Sequence, residues 1–265
     1  MKWKVLRAAE IVLAIVLVVS AVMVFRTRSE YAEGASVYEE AALAAELPEL
    51  TAVPAESGGD ADPNLALMAA INLDELWEQN TDVLGWISIP ETVLSYPLLR
   101  GVDNDYYLKH SWRKDSSIVG AVFMDYRSNE DFTDFNTIIY GHRMRDGSMF
   151  ASLKDYQSQE HWRTHPSIYI ASFDGVYRYD IFAAYEASVT GSIYDFQERD
   201  EEGRKEFIDT CMRLSAIETD IDPTVDDHLL TLSTCTGRGY STRWVVQAVL
   251  AEFYPGQGGA SGSAG

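Results

Sequence analysis

Cys235 closes the run "HLLTLSTC", and Arg243 opens the run "RWVVQAVL" eight residues later, with a short polar loop between. A cysteine can perform acyl transfer when three conditions meet. A partner must draw the sulfur toward the thiolate, substrate must reach it, and donors must receive the oxyanion formed on attack. Cys235 stands where a strand leaves a sheet, a rim position usual for reactive groups. In a hairpin of this size residues flanking the loop lie across from each other, so Arg243 reaches the space beside residue 235. A fixed guanidinium there stabilises a thiolate and a tetrahedral oxyanion. The acid–base partner is expected to be a histidine. The five are His110, His142, His161, His165 and His228. His142 follows directly from the β run in "FNTIIYGHRMRDGSMF", where Gly141 permits a tight exit. His228 lies seven residues before Cys235 in the same strand, about 23 Å away at roughly 3.3 Å per residue. His110, in "YYLKHSW", falls in a loop.

Position alone leaves plainer readings of Cys235 standing: an inert strand-end cysteine, or half of a disulfide with Cys211, the only other cysteine. Cys211 is better explained as a small buried side chain. In "DFQERDEEGRKEFIDTCMRLSAI", Phe207, Cys211 and Leu214 form one helical stripe with Ile208 and Met212 beside it, and the charges lie opposite. Arg238, in the glycine-rich "TGRGYST", competes with Arg243 for the oxyanion role. A strand fixes a side chain better than a glycine-flanked loop, which favours Arg243.

These residues need a sheet to hold them. "VLGWISIP", "LSYPLLR", "IVGAVFMDY", "FNTIIYGH", "SIYIASF", "GVYRYDIFAAYEA", "HLLTLSTC" and "RWVVQAVLAEFY" are short β-branched and aromatic runs punctuated by Gly, Pro, Asn and Asp. Eight such runs predict a mainly β (α+β) domain built on a closed or nearly closed β-barrel. "SFDGVYRY" reads as a hairpin turning at Asp174-Gly175. "LALMAAINLDELWEQN" reads as an amphipathic helix with Leu67, Ala70, Leu73 and Trp77 on one face. "MFASLKDYQSQEHWRTH" carries Phe150, Leu153 and Tyr156 at helical spacing.

The chain has 265 residues, 46% hydrophobic and 12% aromatic, enough for one packed domain plus extensions. A formal charge of −20 argues against nucleic-acid binding. Nine acidic residues and no Lys or Arg lie between residues 29 and 62, a stretch also rich in Ala, Ser, Gly and Pro, so residues 26–63 read as an acidic flexible linker in which Tyr38 to Leu47 offers a short helix. Before it, residues 8–25 are apolar except for Glu10. As a helix they span roughly 27 Å, close to a bilayer core. Lys2, Lys4 and Arg7 place residues 1–7 in the cytoplasm and the rest of the chain outside, an asymmetry that Arg26 and Arg28 weaken. The rival is a cleaved signal peptide. The run is long for one, and no small-x-small site follows it directly, so a retained anchor is expected. Residues 64–255 form the folded domain and residues 256–265 a Gly/Ser tail. No metal or organic cofactor is expected: His161 and His165 are spaced i,i+4 in "HWRTH", but they have no acidic companion like the one in a zincin helix, and such a pair is more often surface polar residues near a helix end.

"TLSTC" with a downstream Arg243, and "IIYGHRM" upstream, resembles the sortase family in motif and in chain order. The resemblance runs from about Leu73 to Tyr254. The long helix from about Gln197 to Ile217 before "TLSTC", the helix preceding the barrel, and "FMDYRSNEDF…NTIIYGHRMRDGSMFASLKDY" are similar to class B sortases. Class A members lack that helix, and no aromatic motif like the lid of class C members occurs in the acidic stretch. The resemblance implies a closed eight-stranded sortase barrel on a single transmembrane helix, acting as a cysteine transpeptidase of Gram-positive bacteria. Cys235 would attack the Thr carbonyl of a sorting motif near a secreted protein's C-terminus, and Arg243 would hold substrate backbone and oxyanion. His142 would protonate the leaving amine and deprotonate the incoming one. The acceptor would be an amine of a cell-wall precursor or of a pilin lysine. Class B grooves also suggest Asn104, Leu108, Thr190, Tyr194, Ser233 and Thr234 as substrate-binding residues, each with a packing or capping role as the alternative. Glycines follow the nucleophile where relatives often place an acidic residue, which argues against a carboxylate partner for Cys235. A secreted cysteine peptidase is the rival enzyme. Papain-like peptidases place cysteine before histidine and on a helix N-terminus, whereas here His142 precedes a cysteine that ends a strand.

Overall fold

Each of the eight β-rich runs becomes a strand, and the strands close on themselves. The computed structural model describes residues 2–54, 62–194, 199–235 and 241–256. The strands are β1 (Val83–Ser88), β2 (Ser95–Arg100), β3 (Val122–Met124), β4 (Asn136–Tyr140), β5 (Ser167–Ser172), β6 (Gly175–Ser188), β7 (Leu229–Cys235) and β8 (Thr242–Pro255). Their order around the closed barrel is β1-β2-β3-β4-β7-β8-β6-β5, and β5 returns to pair with β1. The β2–β3 and β4–β7 pairs are parallel. The expected hairpin joins β5 and β6, with Ala171 opposite Val176 and Gly175 at φ 151°. Closure removes the exposed sheet edges that would otherwise invite pairing with other chains.

Strand alternation builds two hydrophobic layers. Leu230, Leu232, Val246 and Ala248 face inward with Trp86, Leu98, Phe123 and Ile139. Leu229, Val245 and Val249 face outward and meet Phe182 and Tyr185 of β6 under α5 (Glu201–Leu214). Asp200 caps α5 by accepting from the Gly203 amide, and Glu201 and Glu202 in the first turn complement the helix dipole. Phe207, Ile208 and Cys211 are the buried side chains of α5. The stripe is therefore rotated from the expected one, since Met212 and Leu214 are 38% and 44% exposed. The expected start at Gln197 lies outside the described residues.

Two expectations are corrected ahead of the barrel. The segment read as a flexible linker is helical as far as Ala44. A single helix, α1 (Lys2–Ala44), continues from the apolar run and buries Tyr38 and Ala41 against the barrel, with Ala45 buried just past its end. Its acidic and small residues suit an exposed helix face, and composition alone does not reveal the few contacts that fix it. The helix expected over residues 64–79 is two helices, α2 (Pro63–Met68) and α3 (Leu73–Gln79). Asn72 ends the break by capping Glu75 of α3. The interruption resets the helical phase, so Leu65, Met68, Leu73 and Leu76 are buried while Leu67 and Trp77 are exposed. Phe150, Leu153 and Tyr156 are buried as expected, on a 3₁₀ helix (Phe150–Gln157) that leads into α4 (Gln159–Thr164).

Candidate active site

Three adjacent strands deliver the three expected catalytic residues to one end of the barrel. In the parallel β4–β7 pair Tyr140 lies opposite Ser233, so His142 and Cys235 each stand two residues beyond a matched position. The Gly141 amide donates to the Ser233 carbonyl at 3.3 Å, which extends the pairing to the residue before His142. In the antiparallel β7–β8 pair Cys235 lies directly opposite Arg243. Neighbouring strands are about 4.8 Å apart, so backbone register alone gathers the three. For Cys235 only the backbone is described, and Arg238 lies outside the described residues. Arg243 donates to the Thr242 carbonyl at 3.0 Å and is partly buried.

His142 is half-buried, and its ring is fixed from several sides. Its Nε2 bonds the Leu108 carbonyl at 2.7 Å. A carbonyl only accepts, so in the neutral imidazole Nε2 carries the proton. The Phe150 amide donates to the His142 carbonyl at 2.9 Å. Gly141 is needed here for space, because a Cβ would fall 2.6 Å from the Phe150 ring. On the ring's edge, a Cβ on Gly120 would come within 2.8 Å of His142 Cδ2.

The expected substrate-binding residues divide. Tyr194 and Ser233 come together, with their hydroxyls 2.7 Å apart, and the Tyr194 ring stacks on Tyr140 with centroids 6.5 Å apart. Thr190 is exposed, and its hydroxyl lies 3.1 Å from that of Ser188. Leu108 packs partly against the core and supplies the carbonyl that holds His142. Asn104 is held by its own neighbours: its Nδ2 donates to Asp125 at 2.8 Å and its Oδ1 accepts from the Tyr126 amide at 3.1 Å. Thr234 corrects an expectation. It is opposite Trp244 on the inward face of β7, and though Ser233 is just as buried, the Thr234 side chain points away from the face that carries Ser233. Strand alternation places it there.

Asp125, just beyond β3, escaped the sequence reading. Its carboxylate is fully buried and accepts from Arg127, Asn104 and the Tyr140 hydroxyl. Burial raises the pKa of the carboxyl, and the bonds from Arg127, Asn104 and Tyr140 outweigh it, so the group sits below the ordinary carboxylate range. Burial, with the Asp125 charge behind it, pushes the Tyr140 phenol well up. The sequence signal was an acid at the end of the apolar "AVFMD", where only a partnered carboxylate can be buried.

Cys211 is a free, buried thiol 3.2 Å from the Tyr185 hydroxyl, which removes the Cys211–Cys235 disulfide. Burial pushes it up to about 11, the state of an inert structural cysteine. Among the described residues no group of three or more His, Cys, Asp or Glu is assembled to hold a metal. His161 and His165 stack on each other at 4.4 Å.

A closed barrel with a strand-end cysteine between a histidine-bearing and an arginine-bearing strand defines a cysteine transpeptidase of the sortase type, and comparison with known proteins agrees. The family model described as "Sortase domain" matches residues 87–251. The chain is 35% identical to sortase B of Listeria monocytogenes over 180 residues, covering 67% of this chain and 73% of that protein. It superposes on a Staphylococcus aureus sortase B–substrate complex with a TM-score of 0.69 at 28% identity, covering 84% of this chain and 99% of that one. Sortase B of B. anthracis, in complex with AAEK1, gives a TM-score of 0.68 at 29% identity with the same coverage. The chain belongs to the sortase family, and within it is most like the class B sortases.

Proposed function

We propose that this sortase is a membrane-anchored transpeptidase that cleaves a C-terminal sorting motif of secreted proteins after Thr and transfers the protein to an amine. The Cys235 thiol gives its proton to His142 and attacks the Thr carbonyl as the thiolate, the guanidinium of Arg243 receives the oxyanion, and the C–N bond breaks as His142 passes that proton to the leaving amine. An amine of a cell-wall precursor, or of a pilin lysine, then attacks the thioester, and His142 takes up its proton. The three-strand register carries this reading: Tyr140 opposite Ser233, and Cys235 opposite Arg243, bring acid–base, nucleophile and oxyanion donor to one barrel rim. Tyr194, Ser233 and Tyr140 form an aromatic and hydroxylic wall beside that rim, suited to an extended peptide.

The N-terminal half of α1 supports membrane attachment. It holds an 18-residue stretch of mean hydropathy 2.3, none of it buried. With Lys2, Lys4 and Arg7 before this stretch, the barrel lies outside the cell membrane as the head of a single-pass protein. The test is incubation with a panel of sorting-motif peptides and amines, read by mass spectrometry. The wild type and Cys211→Ser are expected to show a peptide thioester on the enzyme and a transferred product. Cys235→Ala is expected to show neither, and residual transfer by that variant would sink the assignment.

A further inference from the structure

The helix that leads out of the apolar segment reaches the wall of the candidate site. The backbone of α1 seats Gly34 directly against the Val119 side chain, where no Cβ would fit. Three residues on, the Val37 carbonyl accepts from Trp112 Nε1 at 2.9 Å. Tyr38, 8% exposed, then donates its hydroxyl to the Gly120 carbonyl at 2.5 Å. Its ring meets that of Tyr96 edge to face, with centroids 5.1 Å apart.

Both of these partners touch the elements that fix His142. Gly120 adopts a left-handed backbone at φ +63°, which favours glycine, and the point where its Cβ would lie is 2.8 Å from His142 Cδ2 and 3.0 Å from the Leu108 carbonyl oxygen. Leu108 is the residue whose carbonyl bonds His142 Nε2. Gly120 therefore lies against both the ring and its acceptor, and its own carbonyl is held by Tyr38. On the other side, the Tyr96 hydroxyl accepts from the Met149 amide at 2.8 Å. Met149 precedes Phe150, whose amide bonds the His142 carbonyl. One side chain on α1 thus braces the ring side of His142 through Gly120 and its backbone side through Tyr96.

We propose that Tyr38 is a positioning residue for His142, so that the helix carrying the apolar segment is a structural part of the active site. The inference rests on the reading of His142 as the acid–base group. Loss of the Tyr38 hydroxyl leaves the Gly120 carbonyl without its donor and loosens the shelf that sets the imidazole's distance from the reacting amine. A misplacement of this kind acts on the chemical step more than on substrate binding.

The test is Tyr38→Phe in the full chain, with His142→Ala and Arg113→Ala as companions. Tyr38→Phe is expected to lower kcat about tenfold, with KM nearly unchanged and the pH profile of kcat displaced from that of the wild type. Arg113→Ala breaks the exposed Arg113–Glu40 pair, a contact between α1 and the same loop, and is expected to leave kcat and the profile as they were. If Tyr38→Phe lowers only the melting temperature, or if Arg113→Ala reproduces its kinetic loss, the proposal is overturned and α1 is ordinary packing. Should Tyr38→Phe not fold, Tyr96→Phe reads the same route through Met149, and a wild-type profile there overturns the proposal equally. Activity in His142→Ala would instead overturn the underlying acid–base assignment, an outcome distinct from the others.

Discussion

Arg243 owes its candidacy to what holds it as much as to its chemistry. Arg243 is the second residue of β8, directly across from Cys235, with a guanidinium nitrogen tied to the neighbouring Thr242 carbonyl. A planar fork held in this way presents more than one N–H to a developing oxyanion and a substrate carbonyl, which a lysine ammonium on a flexible stem does not reproduce. Removing one preorganised oxyanion donor typically costs about 10²–10³ in rate. Arg243→Lys is therefore expected to slow acyl-enzyme formation by roughly 10²-fold, while Arg238→Ala stays within a few-fold of wild type, both read by single-turnover mass spectrometry. The reverse pattern, a nearly normal Arg243→Lys with a dead Arg238→Ala, would transfer the role to Arg238.

Much of this was legible because strands declare themselves in apolar and aromatic runs, and all eight runs formed strands. Read with the chain order of histidine, cysteine and arginine, the runs were enough to predict the barrel and the Cys235–Arg243 opposition. What stayed hidden were elements defined by contacts distant in sequence. The apolar residues of the acidic stretch are mostly alanine, and those that bury, Tyr38 and Ala41 with Ala45 just past the end of α1, gain meaning only once the barrel is there to receive them. The break between α2 and α3 left the composition of residues 64–79 unchanged but shifted the phase of its second half. Asp125 was hidden for the same reason. It links the end of β3 to Asn104 in the β2–β3 connection and to Tyr140 at the end of β4, the strand that leads to His142. Its pKa is depressed on folding, so the stability it contributes is present above the unfolded value of about 3.9 and lost as the pH falls through the folded value. Asp125→Asn is expected to cost roughly 3 kcal/mol at pH 7, the low end for breaking a buried pair, because Arg127 is partly solvated. The gap from wild type should shrink below about pH 4. Denaturant unfolding at pH 7 and at pH 3.5 checks both statements, and a gap that stayed constant between them would contradict the linkage.

The boundary of the folded domain lies earlier in the chain than composition suggests, because α1 is shared between two environments. Its first half is exposed and apolar, while its last three turns are docked. Tyr38, Ala41 and Ala45 are 8%, 0% and 0% exposed, the Ala45 carbonyl accepts from the Asn72 amide at 2.9 Å, and Trp112 and Gly120 both depend on α1 for their hydrogen bonds. Burying a large aromatic and two small side chains contributes on the order of 3 kcal/mol. Two long-range hydrogen bonds add about 1 kcal/mol each, and their loss leaves a buried indole N–H and a backbone carbonyl unsatisfied. Two truncations separate the halves of the helix. A chain lacking residues 2–32 keeps every one of these contacts and is expected to melt within a degree or two of the full chain in detergent. A chain lacking residues 2–46 loses them all. At roughly 2–4 °C per kcal/mol for a domain of this size, its melting temperature should fall by on the order of 10 °C. Calorimetry on both chains decides the matter: equal melting temperatures would mean that α1 only tethers the barrel, and a drop confined to the longer deletion would place residues 33–46 inside the catalytic domain.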